Sequence, residues 1–179
     1  MPGEHQRINL LFASLAAYGL GFNAETIQSA LGSYRGIEHR LEFFHEAKGI
    51  RYYNDSAATI PQAACACLET LASQAPLVFV TGGTDKNLDF TVLVKSIKKA
   101  KVIVLLFGSG SEKLSLLLDK ENIPYYGPFD DLDKAVKCAI EKGNEGDIIT
   151  LSPGCASFGM FLNEFDRGRQ WKEAVKRLT

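Results

Sequence analysis

The sequence predicts an α/β domain: a Rossmann-like, three-layer fold with a mostly parallel sheet, preceded by a short helical segment. Three observations carry this. Short apolar segments at 77–81, 102–107 and 147–151 alternate with stretches of helical period, and that alternation builds βαβ units. The segment 102–107 is apolar throughout, as a parallel strand covered on both faces requires. Each strand also runs into a polar or glycine-containing turn, and open α/β sheets gather such turns at one edge.

Taken in order, apolar residues at Ile8, Leu11, Phe12, Leu15 and Ala16 have helical spacing over 8–20. Asn23 is suited to cap a second helix, with Ile27, Ala30 and Leu31 on its inner face and Gly32 near its end. These helices precede any strand. They form either an appendage to the α/β body or the tail of a domain that begins before Met1. The segments 41–47 and 50–54 read as a hairpin about Lys48-Gly49. A helix over 60–72 follows, with Pro61 in its first turn and Thr59 and Gln62 spaced as a capping box. Further helices are expected over 90–99, from Gly110 to about Leu118, around Leu132 to Ile140, and over 158–178, with a weak strand at 124–126.

Composition narrows the function classes. The 179 residues are 46% hydrophobic and 23% charged, as in a soluble domain with a sizeable core. A net charge of -1 gives no general attraction to nucleic acid or anionic membrane. No apolar run reaches spanning length, and no signal-peptide pattern opens the chain. Cys65, Cys67, Cys138 and Cys155 form no CxxC pair, which points to free thiols in a reducing cytoplasm. The three histidines are scattered, and no metal site is expected.

The candidate chemistry lies in the turns after the strands. Asp55 and Ser56 either cap the following helix or meet a ligand. Gly82-Gly83 with Lys86 is either a close backbone approach plus a cation, or a tight turn with a surface lysine. The segment 152–157 (Ser-Pro-Gly-Cys-Ala-Ser) places small residues before a helix, where free backbone N–H groups suit carboxylate or phosphate. His39-Arg40 stands where the leading helices meet the body, either as a hinge or as a junction site with an anion-binding fork. Arg167, Arg169, Lys172, Lys176 and Arg177 read as a basic, solvated face of the last helix. No G-x-x-x-x-G-K-[ST] loop is present.

The ordered set Gly3-Glu4-His5 to Asn9, Glu38-His39-Arg40-Leu41-Glu42, Asn54-Asp55-Ser56 with Ala58-Thr59, Gly82-Gly83 with Lys86, Ser152-Pro153 with Cys155-Ala156-Ser157, and Asn163 with Arg167-Gly168 resembles the C-terminal part of the Mur ligases. Within that family it is most similar to the branch that adds D-glutamate. The resemblance implies that 1–37 is the helical tail of a central ATP-binding domain and 38–179 the C-terminal domain. It implies ATP-dependent amide formation in the cytoplasm. The carboxylate of UDP-N-acetylmuramoyl-L-alanine becomes an acyl phosphate, which the D-glutamate amine attacks. ATP and magnesium would both need the central domain and its phosphate loop, so this chain alone would be inactive. A monomer is expected. By position, Asn9, Arg40 and Asp55 fall on the nucleotide side. Thr59, Lys86, Ser157 and Phe158 line the D-glutamate pocket, and His39, near the reacting centre, is the expected catalytic residue.

Three positions depart from the family pattern. Ala57 replaces a common lysine, and a cation 4 Å from a carboxylate is worth about 4 kcal/mol at an effective dielectric of ~20 before screening. Gln6 replaces an asparagine. Glu164 stands where an aromatic usually follows the asparagine, with Phe165 one step later. The alternative reading is a stand-alone, non-catalytic module binding an amino acid or a nucleotide.

Overall fold

The computed structural model describes residues 3–179. Met1 and Pro2, at the start of the expected 1–37 segment, lie outside the described residues, as do the side chains of Glu4 and His5 in the Gly3–Asn9 motif.

Two helices lead the chain, α1 (Glu4–Gly19) and α2 (Ala24–Ser33). The Asn23 side chain accepts from Thr26 N and starts α2 as expected. The α/β body then runs β1 (Glu42–Ala47), β2 (Ile50–Asn54), α3 (Pro61–Ala72), β3 (Leu77–Thr81), α4 (Thr91–Ile97), β4 (Val102–Leu106), α5 (Ser109–Lys120), β5 (Tyr126–Phe129), α6 (Leu132–Lys142), β6 (Ile148–Leu151) and α7 (Glu164–Leu178). The six strands form one sheet in the order β1-β2-β6-β3-β4-β5. Only the β1–β2 hairpin is antiparallel. Its turn residues Lys48 and Gly49 both have positive φ, which suits the twist of a two-residue hairpin.

Alternation along the strands splits the core in two. Leu77, Phe79, Ile103 and Leu105 face one layer with Leu68, Leu93 and Leu114 of α3, α4 and α5. Val78, Val80, Val104 and Leu106 face the other, with Val136 of α6 and Trp171 and Val175 of α7. This is the three-layer arrangement that near-continuous apolar strands demand.

Three expectations shift. Helix α3 begins at Pro61 with Ile60 as its N-cap and no side-chain cap bond. Proline at the first helical position makes its predecessor the cap, so Thr59 falls one residue outside and the Thr59–Gln62 box does not form. The last helix starts at Glu164, capped by Asn163, whose side chain accepts from Phe165 N and Asp166 N. The fifth strand shares only Tyr126 with the expected 124–126 and runs on to Phe129; it is mostly exposed, so no burial pattern marked it. No helix of the described residues is long and apolar enough to cross a membrane.

Candidate functional site

The strand order explains where the polar turns meet. Strands β2, β6 and β3 are neighbours at the centre of the sheet, so the turns leaving them lie side by side. Backbone bonds tie them together. Asp55 N donates to Leu151 O at 2.8 Å, Gly154 N to Ala58 O at 2.8 Å, and Gly82 N to Pro153 O at 2.9 Å. Thr84 and Ala156 form an antiparallel bridge. The two glycines serve this packing. A Cβ on Gly82 would lie 2.2 Å from Ser111 Oγ, and one on Gly83 2.5 Å from Ala156 O. They make room for protein atoms, which is the tight-turn alternative.

On one side of the 54–59 turn, Asn9 and Arg40 meet Asp55 around a cavity of about 170 Å³. Gln6 completes its polar lining, and Ala58 and Cys67 belong to its apolar wall. Asn9 and Arg40 are exposed, whereas Asp55 is buried. Asp55 Oδ1 accepts from Leu41 N at 3.1 Å and Oδ2 from Ser152 Oγ at 2.7 Å. Burial raises its pKa to about 6, against the lowering effect of these two bonds. The Cys67 thiol beside it is pushed well up by burial.

His39 is buried and has φ +64°. Asn54 Nδ2 donates to its Nδ1 at 2.8 Å, which leaves the proton of the neutral ring on Nε2. Glu38 Oε1 is 3.6 Å from Nε2, and the Phe165 ring packs with its centroid 5.7 Å away. Burial lowers the His39 pKa, so the ring is neutral at pH 7.

Among the described residues, Glu38, His39 and Glu42 each place one possible ligand atom within 4.8 Å of the others. The Lys172 ammonium fills the role an ion would take, 2.6 Å from Glu38 Oε1 and 2.9 Å from Glu42 Oε1. Asn54 Nδ2 also donates to Glu42 Oε2 at 3.0 Å. The donor set is already satisfied by protein cations and amides, and it does not fit a divalent ion.

On the other side of the turn stand Thr59, Lys86, Ser157 and Phe158. Thr59 is half-buried, Lys86 and Phe158 are exposed, and Ser157 is buried. Thr59 does not cap α3. Thr84 Oγ1 donates to Phe158 O and holds the loop from β6 against the loop from β3. Cys155 is buried, and its thiol is pushed up to about 12 by that burial. It is a buried free thiol, and the absence of a CxxC pair had pointed to free thiols.

A family model described as Mur ligase, glutamate ligase domain, matches residues 39–155. The chain belongs to the Mur ligase family. It is 43% identical over 182 residues to UDP-N-acetylmuramoylalanine--D-glutamate ligase of Roseiflexus sp. (strain RS-1), a match that covers 100% of this chain and 39% of that protein. The chain therefore spans about two fifths of the length of this curated relative. Its fold is that of UDP-N-acetylmuramate-alanine ligase MurC from Thermotoga maritima, with a TM-score of 0.74 at 19% identity over 100% of this chain and 39% of that one. It is also that of a Thermotoga maritima MurF ligase solved in complex with ADP, with a TM-score of 0.70 at 18% identity over 98% and 39% of the two chains.

For a Mur ligase domain the structure adds one residue that sequence reasoning misplaced. Arg167 is not on a solvated face; it is fully buried. Lys172 is likewise engaged, with Glu38 and Glu42. The signal was available. Counting back from Trp171, Arg167 sits one helical turn away on the same face.

Proposed function

We propose that this chain is the C-terminal domain of a cytoplasmic, ATP-dependent ligase that joins D-glutamate to UDP-N-acetylmuramoyl-L-alanine through an acyl phosphate. The observation that carries the reading is the convergence of Asn9, Arg40 and Asp55, from three separate segments, on one cavity. In this reading the cavity takes the nucleoside. The Asp55 carboxylate accepts from ribose hydroxyls, the Asn9 and Gln6 amides meet polar ring edges, and the exposed Arg40 fork reaches phosphate. Across the 54–59 turn, Lys86 pairs with a glutamate carboxylate. The Thr59 and Ser157 hydroxyls orient the amino acid, and the Phe158 ring covers its methylene groups. His39, neutral and held by Asn54, positions the turn and leaves proton transfer to other groups.

When bound, ATP supplies the phosphoryl group that activates the acyl carboxylate. This chain has no phosphate loop, so turnover by the chain alone is not expected. The carboxylate cluster at Glu38 and Glu42, held by the Lys172 ammonium, does not fit magnesium. Residues 1–37 fit the reading as the tail of a central domain. The family match begins after them, and α1 leaves Leu11, Phe12 and Leu15 exposed at 58%, 65% and 57%.

The test is an amide-shift NMR titration of the chain with ADP, D-glutamate and L-glutamate. ADP should perturb residues 6–9, 40–41 and 55. D-glutamate should perturb 59, 86 and 157, and L-glutamate should bind more weakly. Shifts confined to other faces, or none at millimolar ligand, would overturn the reading.

A further inference from the structure

Arg167 is a cation with no carboxylate in ion-pair reach among the described residues. Its three nitrogens are bonded to neutral oxygens. Nε donates to Ser56 Oγ at 3.0 Å, Nη2 to Ser56 O at 2.9 Å, and Nη1 to Cys155 O at 3.2 Å. Ser56 Oγ in turn donates to Glu164 O at 2.7 Å, in the first turn of α7. Taking a guanidinium out of water is costly, and apolar side chains often fill such positions at lower cost. What an apolar side chain lacks is a planar fork that binds two backbone carbonyls at once in fixed geometry.

The two carbonyls belong to the two halves of the edge. Ser56 lies in the turn that carries Asp55 and Thr59. Cys155 lies two residues before Ser157. We infer that Arg167 is a positioning residue: its guanidinium locks the 54–59 turn to the 152–157 loop, so that Asp55, Thr59 and Ser157 keep one mutual geometry. Burial pulls the Arg167 pKa down to about 10, so the charge persists at neutral pH. What the loops bind rests on the proposed function; that they are coupled does not.

The experiment compares Arg167→Met, Arg167→Lys and Val175→Ala in the full chain. Val175 is buried on the same helix and packs on the sheet away from the loops, so its variant reports general destabilisation. Hydrogen exchange is read at the Ala58 amide, bonded within the 54–59 turn to Asp55 O, at the Gly154 amide, bonded between the two loops to Ala58 O, and at the Ala156 amide, which ties the 152–157 loop to Thr84 O. R167M should speed exchange about tenfold or more at all three, beyond the change at strand amides. R167K keeps the charge without the fork and should show the same pattern, which covers the case of R167M failing to fold. V175A should show no such local excess. Where D-glutamate binds the parent, its Kd should rise about tenfold in R167M and stay unchanged in V175A, measured where every variant is folded. If exchange rises no more at the loops than across the sheet, the positioning role is overturned. If the parent binds no D-glutamate, the functional reading fails, and the exchange pattern alone decides the coupling.

Discussion

Asp55 keeps its proton to a pH at which most carboxyl groups have lost theirs, because burial outweighs the lowering effect of its bonds with Ser152 Oγ and Leu41 N. Its pKa is about 6 in the fold against 3.8 ordinarily. Between those values the native state holds a proton that the unfolded chain has released. Stability from this group is full below the lower value and falls as pH rises through the upper one, by about 1.4 kcal/mol per unit and about 3 kcal/mol in all. His39 works in the opposite sense. Its pKa is lowered by burial, so its contribution is present above the ordinary value and is lost as pH falls. Comparing Asp55→Asn with the parent cancels the His39 contribution. Urea unfolding from pH 4 to 7.5 should show the variant gaining on the parent up to about pH 6, by up to ~3 kcal/mol, and level above it. A pH-independent difference would contradict the assignment. Asp55 itself was legible in the sequence, because it sits in a polar turn between a strand and a helix. Its partners were not, since Ser152 lies 97 residues away in the chain and no local pattern encodes that contact.

Helix α7 ties the edge to the body, and its close approach depends on Gly168. A Cβ at this position would lie 2.2 Å from His39 Nδ1, and the Gly168 carbonyl lies 3.5 Å from Asn54 Nδ2. Alanine is the better helix former by about 1 kcal/mol, so on propensity alone Gly168→Ala would stabilise. Overpacking against a buried ring costs typically ~1–3 kcal/mol, and displacing His39 also breaks its bond with Asn54. The expected net effect is a loss of about 1–2 kcal/mol in urea unfolding, and a gain would remove Gly168 from the account. The strands and inner helices could be read from periodicity because burial imposes it. The start of α7 could not. Residues 158–163 have no periodic demand on them, and the helix waits for the Asn163 cap. Thr59 misled for a related reason, since a capping-box spacing carries no information about which residue proline will fix as the cap.

The molecule has two parts of different character. The α/β body buries both faces of its sheet, whereas α2 has no buried residue and α1 turns Leu11, Phe12 and Leu15 outward. The sequence showed that α1 has an apolar face, but periodicity does not say what covers it. In the structure α1 offers Leu10, Ala13 and Ala17 to a groove shared with Ile27 and Leu31 of α2, and its other apolar row stays open. Yet the α1–α2 hairpin (residues 4–33) is not a mere appendage, because Gln6 and Asn9 supply one wall of the cavity at Asp55. Removing it should therefore separate stability from binding. A chain of residues 36–179 keeps both core layers and the whole sheet, so its melting temperature should lie within about 4 °C of the parent's, a difference of under ~1 kcal/mol. Its solubility should rise with the loss of the open apolar face. Its ADP affinity should fall at least about tenfold, because the amides facing Asp55 are gone. Circular dichroism melting and an ADP titration measure both quantities on one preparation. A collapse of the melting transition would make the hairpin part of the body's core. Undiminished ADP binding would move the nucleotide away from Asn9 and Asp55.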